Sequence, residues 1–276
     1  MRILERILAA VMMSGLAACA APSARPALTP VEATPPLSQA TTAPPPEALA
    51  ARPVTFETAD GAPLQGELYG SGGTAIVFSV MGNCKAGWTE LARAAAAQGF
   101  LALTYQWRGC QTDPNNEALL KKFLDDTRGA ISFVQSQGAP RIILAGASLG
   151  GVASAQLAAE ARAIGLVALA APAEISQWDF QIEAAAVAGD TPKLFITAEA
   201  DAVVPATASR ALHDLAAEPK AWQTYPGTAH GTDLFDTDSG PALAQRLLAF
   251  FTEVNRSVSS PAPGLELLPA IAPSAR

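Results

Sequence analysis

Ser148 lies in Gly146-Ala147-Ser148-Leu149-Gly150-Gly151, a Gly-x-Ser-x-Gly turn. The apolar run Arg141-Ile142-Ile143-Leu144-Ala145 delivers it, and a small-residue stretch of helical character follows. A serine hydroxyl is a poor nucleophile at neutral pH. To attack a carbonyl it must stand exposed at a strained turn, beside a base that takes its proton. The pentapeptide alone also fits an ordinary strand-to-helix turn, so the decision rests on a base and an acid elsewhere. In enzymes built around such a turn, the acid and then the histidine follow the serine along the chain. Only two histidines exist, His213 and His230. His213 falls in a helical segment beside Asp214 and reads as a solvated helix residue. His230, in Tyr225-Pro226-Gly227-Thr228-Ala229-His230-Gly231, occupies the loop between the last strand and the last helix and is the candidate base. Asp201, directly after the strand at 193–197, is the candidate orienting carboxylate. Its competing role is to cap the helix that starts near Pro205. Glu174 is the reserve acid, and Glu199, though close to Asp201, is expected to point elsewhere.

The elements that must position these residues alternate along the chain. Strands are predicted at 54–58, 64–69, 74–80, 100–105, 141–145, 166–170, 193–197 and 221–225, the first two joined by a turn at Ala59-Asp60-Gly61. Helical periods are predicted around 88–96, 120–134, 152–164, 206–215 and 241–254. Alternating strands and helices imply an α/β fold, a mainly parallel, doubly covered sheet of about eight strands. Such sheets place ligands at the carboxyl ends of their strands. The glycines at 70–73 precede a strand and lack a Gly-Lys-Ser/Thr ending, so they read as a loop and not as a phosphate cradle.

Composition narrows the function further. The 276 residues are 50% hydrophobic and 16% charged, with a formal net charge of −7, and carry no basic stripe. A nucleic-acid partner is therefore not expected, and neutral or moderately polar substrates fit better. The two histidines and three cysteines form no cluster with metal-ligand spacing, so neither a metal nor a cofactor is expected.

The amino terminus reads as an export address. Two arginines in Met1-Arg2-Ile3-Leu4-Glu5-Arg6 precede a short apolar region ending Leu16-Ala17-Ala18-Cys19. That ending resembles a bacterial lipobox, with Cys19 as the lipidated first residue of the mature chain. Plain signal cleavage after Ala18-Cys19-Ala20 is the alternative. Residues 20–52, rich in Ala, Pro and Thr, cannot form a core and read as a semi-rigid tether. The expected organisation is a lipoprotein signal peptide at 1–18, a tether at 19–52, a folded domain at 53–256 and a Pro-rich tail at 257–276. The expected partners are a small-molecule acyl substrate and a lipid membrane reached through Cys19. Ala20 resembles the residue that follows the lipidated cysteine in outer-membrane lipoproteins.

Over residues 54–255 the chain resembles the α/β-hydrolase family, in particular its serine-esterase, lipase-like and dienelactone-hydrolase-like branch. The likeness rests on the elbow at Ser148, on Asp201 with its trailing Val204-Pro205, and on His230-Gly231. It also rests on Tyr105-Gln106-Trp107-Arg108-Gly109-Cys110, similar to an Asp-x-Arg-Gly segment of the family. Val80-Met81-Gly82-Asn83-Cys84 departs from the His-Gly that often opens the oxyanion loop. The resemblance implies an oxyanion hole made by the main-chain N–H groups of Leu149 and Asn83, so a missing histidine side chain need not abolish it. In the family's strand order Cys84 and Cys110 both lie at the catalytic edge. A Cys84–Cys110 disulfide is implied, with two separate buried thiols as the alternative. Only about 20 residues separate Ala171 from Thr191, where relatives insert a lid, so a minimal cap and an open cleft are expected. Trp178 and Phe180 in this insert, and Trp107 above the fourth strand, are candidates for lining the substrate pocket. Ester, thioester and amide hydrolysis all remain open, with ester hydrolysis the default. A serine peptidase of the same fold and a non-catalytic envelope lipoprotein are the competing readings.

Overall fold

A computed structural model of the chain describes residues 50–81, 87–113 and 116–259. They fall within one compact unit, Thr42–Arg276. Eight strands form a single sheet: β1 (Arg52–Glu57), β2 (Pro63–Tyr69), β3 (Thr74–Val80), β4 (Leu101–Tyr105), β5 (Arg141–Ala147), β6 (Gly165–Leu169), β9 (Lys193–Ala198) and β10 (Lys220–Tyr225). Two further strands of two residues each, β7 (Glu174–Ile175) and β8 (Phe180–Gln181), make a separate small hairpin. The main order is β1-β2-β4-β3-β5-β6-β9-β10. Within this sheet only the β1–β2 and β2–β4 pairings are antiparallel.

The sheet is apolar on both faces because helices cover both. Along β5 the side chains alternate, so that Ile142 and Leu144 join one core while Ile143 and Ala145 join the other. The first core takes α3 (Phe123–Ser136), α4 (Leu149–Leu157) and α5 (Ala206–Leu215) through Val134, Val152 and Leu212. The second takes α1 (Thr89–Ala97) and α6 (Gly240–Ser259) through Leu91, Leu247 and Phe251. Burial on both faces explains why these strands read as continuous apolar runs. Among the described residues no helix is long and apolar enough to cross a membrane.

Three details differ from expectation. The helix predicted over 120–134 is split into α2 (Glu117–Leu120), whose first turn is capped by the Asn116 side chain accepting from Leu119 N at 3.2 Å, and α3. α4 stops at Leu157 instead of continuing to residue 164. The backbone reverses at Arg162, at φ 50°, so that Ile164 N donates to Ile142 O at 2.8 Å and the chain enters β6. His213 is not a solvated helix residue. Its side chain is 11% exposed and packs edge-on against Phe195 and Trp222, with ring centroids 5.6 and 5.8 Å away.

Candidate active site

β5 ends by forcing Ser148 into a conformation that non-glycine residues rarely take, φ 53° and ψ −126°. Such strain persists only where the surroundings over-determine it. Here Ser148 N donates to Leu169 O at 2.9 Å, and α4 begins at the next residue. The glycines let helix and strand approach. A Cβ on Gly146 would lie 2.1 Å from Gly150 O, and one on Gly151 would lie 2.7 Å from the Ala171 Cβ. The turn therefore lifts the hydroxyl at the carboxyl edge of the sheet. Leu149, as the first helical residue, has an N–H with no acceptor inside the helix, at the positive end of its dipole.

Asp201 and His230 come from the loops after β9 and β10, which are laced together by the backbone. Glu199 N donates to Tyr225 O at 2.8 Å, Ala200 N to Gly227 O at 3.0 Å and Ala202 N to Thr228 O at 3.1 Å. Asp201 is 7% exposed, and its Oδ1 accepts from Val203 N at 2.8 Å and Val204 N at 2.9 Å. His230 Nδ1 faces both carboxylate oxygens, at 3.0 and 2.9 Å. This contact orients the ring and assigns Nδ1 as the donor, leaving Nε2 as the acceptor. Nε2 is buried and has no hydrogen-bond partner among the described residues. The following residue, Gly231, has φ +56°, and a Cβ there would touch the Ala147 Cβ at 3.5 Å. The His-Gly pair thus sits against the residue that precedes Ser148. Glu174 takes no part in this pairing. It lies in β7, exposed, accepting from Ser176 Oγ at 3.0 Å, while Glu199 is exposed beyond β9.

A cavity of about 360 Å³ opens at Ser148, walled by Leu149, Val152, Ile175, Trp178 and Val204. Trp178 is among the residues that wall it. Trp107 is not, because it is 1% exposed and lies in the core. Its ring fills the space over Gly109, where a Cβ would lie 1.9 Å from it. Phe180 also stays outside the wall and packs edge-on against Phe123 at 5.3 Å. Asn83, Cys84 and Cys19 lie outside the described residues. Cys110 follows Gly109 in the short helical turn Arg108–Gln111. Among the described residues no group of His, Cys, Asp and Glu is arranged to hold a metal ion.

One arrangement was not anticipated. Arg108, 10% exposed, binds Asp126 of α3 through Nε at 2.6 Å and through its own backbone N at 2.9 Å. It also donates to Asp60 of the β1–β2 turn, at 2.8 and 3.1 Å. The hydrogen bonds from Arg108, then Thr58, hold the exposed Asp60 carboxyl well below the usual carboxylate range. Asp126 is shifted the other way, because its burial outweighs the pairing with Arg108. The signal was present in the sequence: Asp126 falls on the buried stripe Phe123, Thr127, Ala130 and Val134 of an amphipathic helix, where an unpaired carboxylate would not be tolerated.

The sequence pattern of the alpha/beta hydrolase family matches residues 70–272. The chain belongs to the alpha/beta hydrolase family. The esterase domain of a Rhodothermus marinus protein superposes with a TM-score of 0.61 at 20% identity, over 74% of this chain and 98% of that one. An esterase from Pyrococcus furiosus gives 0.60 at 14% identity, over 76% and 95%. A Xanthomonas campestris serine hydrolase described as lacking a lid gives 0.55 at 20% identity, over 80% and 97%. At these identities the likeness to this alpha/beta hydrolase is one of fold. No curated protein matches the sequence.

Proposed function

We propose that this alpha/beta hydrolase is a serine esterase that cleaves carboxylic esters through an acyl-enzyme. The observation that carries the reading is the Asp201–His230 pair set against the strained turn of Ser148. In the first half-reaction Ser148 Oγ attacks the ester carbonyl as His230 Nε2 takes its proton, and the carbonyl π electrons move onto oxygen. Leu149 N–H, with Asn83 N–H as the second donor, stabilises that oxyanion. Each such donor contributes about 2.7–4 kcal/mol at the transition state. Collapse breaks the bond to the alkoxy oxygen, which leaves with the proton from Nε2. Water then repeats the sequence on the acyl-enzyme, its proton going to Nε2 and then to Ser148 Oγ as the acid departs. Asp201 stays ionised throughout and stabilises the imidazolium.

The reading extends to the rest of the chain. A lipid on Cys19 holds the enzyme at the envelope membrane, outer where a host has two, with residues 20–52 as spacer. A Cys84–Cys110 bridge fastens the loop that carries Asn83. Closing a loop of that length stabilises by about 3 kcal/mol. Turnover of matched acyl esters and aminoacyl amides tests the activity. Ester kcat/KM should exceed amide kcat/KM by orders of magnitude, and the reverse order would make the enzyme a peptidase.

A further inference from the structure

Beside the cavity at Ser148 lies a second one of about 400 Å³, between the β7–β8 hairpin and α5. The two share a rim formed by Pro172, Glu174, Gln177 and Ala208. Their chemistry differs. Around Ser148 the wall is mainly apolar, with Ser148, Glu174 and Gln177 as its polar members, whereas the far cavity adds Ser176 and Gln181 to the shared Glu174 and Gln177. Glu174 is the one charged residue lining either cavity among the described residues. The nearest cation to the Trp178 ring, Lys121 at 5.9 Å, lines neither cavity and is engaged by Glu117 at 2.7 Å.

We infer that Glu174 is a specificity-determining residue, selecting esters in which one arm is apolar next to the carbonyl and ends in a cationic ammonium group. The inference rests on the esterase reading above. An apolar stem of a few carbons occupies the space beside Leu149 and Val152, and its end reaches the shared rim. There the Glu174 carboxylate meets the ammonium, with Gln177 and Ser176 as further acceptors. A carboxylate-ended arm meets a like charge and loses its water. At a partly exposed rim this contrast amounts to about tenfold between the two end groups.

The test uses two ester series of equal chain length ending in methyl, ammonium or carboxylate, one varied in the acyl arm and one in the alcohol arm. In one series the ratio of kcat/KM for ammonium-ended over carboxylate-ended esters should be about ten, falling to about one in Glu174→Gln and inverting in Glu174→Lys. Glu199→Gln, an exposed carboxylate that lines neither cavity, should leave the ratio as in the wild type. Methyl-ended esters turned over with a ratio near one in both series, or a ratio unmoved by Glu174→Lys, would overturn the inference and leave the esterase reading intact. A folded enzyme that turns over no ester of either series would overturn both.

Discussion

His230 Nδ1 lies 3.0 and 2.9 Å from the two carboxylate oxygens of Asp201. The same carboxylate is itself pinned by the backbone N–H groups of Val203 and Val204. The acid is thus fixed before the histidine is, and the ring takes its tautomer from it. Asp201→Asn tests this with little change in shape. Its Oδ1 can still accept from Val203 and Val204, but its amide would then present a donor to Nδ1 and drive the proton to Nε2. The expected outcome is a fall in kcat of roughly 10⁴-fold with the fold retained, measured by ester kinetics beside thermal melting.

The close approach of α4 to β5 makes a second prediction. Gly146→Ala would push a methyl to 2.1 Å from Gly150 O, a backbone atom that cannot move without moving Ser148. We expect a loss of roughly 1–3 kcal/mol in denaturant unfolding, together with reduced turnover. Gly189→Ala, where nothing lies within 4 Å of the added carbon, should stay within about 0.5 kcal/mol of wild type.

Arg108 makes a third prediction, on stability against pH. Arg108 lowers the folded pKa of Asp60 below its unfolded value of about 3.9, so the contribution of Asp60 is fully present above that value. It is lost as pH falls toward the folded pKa. Asp60→Asn should therefore lower Tm at pH 7, and the gap from wild type should narrow between pH 5 and pH 2. Asp126 runs oppositely, since burial raises its folded pKa. Its contribution is present below the unfolded pKa and is lost as pH rises through the folded one. Removing its partner by Arg108→Ala leaves a buried carboxylate uncompensated, at a cost of about 3–5 kcal/mol, part of which Asp126→Asn should restore.

The proposal of a lipid on Cys19 makes a fourth. Cys19→Ser should shift the protein from the membrane fraction to the soluble fraction on cell fractionation. Unchanged partition would count against lipidation at Cys19.

The positions of the eight long strands were legible because two-sided burial writes an unbroken apolar run, as in Ile142 to Ala145. Asp201 and His230 were legible as loop residues following β9 and β10, since the topology brings those loops to one edge. What a side chain does after its strand ends was not. Trp107 and Trp178 look alike in sequence, yet one closes over Gly109 and the other faces Ser148. The difference is set by backbone direction in two short turns. The burial of His213 is not legible in its own helix, because the aromatic partners that bury it, Phe195 and Trp222, come from β9 and β10. The Arg108 network joins residues 48 and 18 positions away in the chain. Only the oddity of Asp126 on a buried stripe hinted at it.

The central claim is that Ser148 is the nucleophile, and its most direct measurement is covalent labelling of the folded protein by a fluorophosphonate probe. The account predicts stoichiometric labelling of the wild type, with the adduct on the peptide containing Ser148, and no labelling of Ser148→Ala. Equal labelling of Ser148→Ala, or a wild type that stays unlabelled while folded, would contradict it.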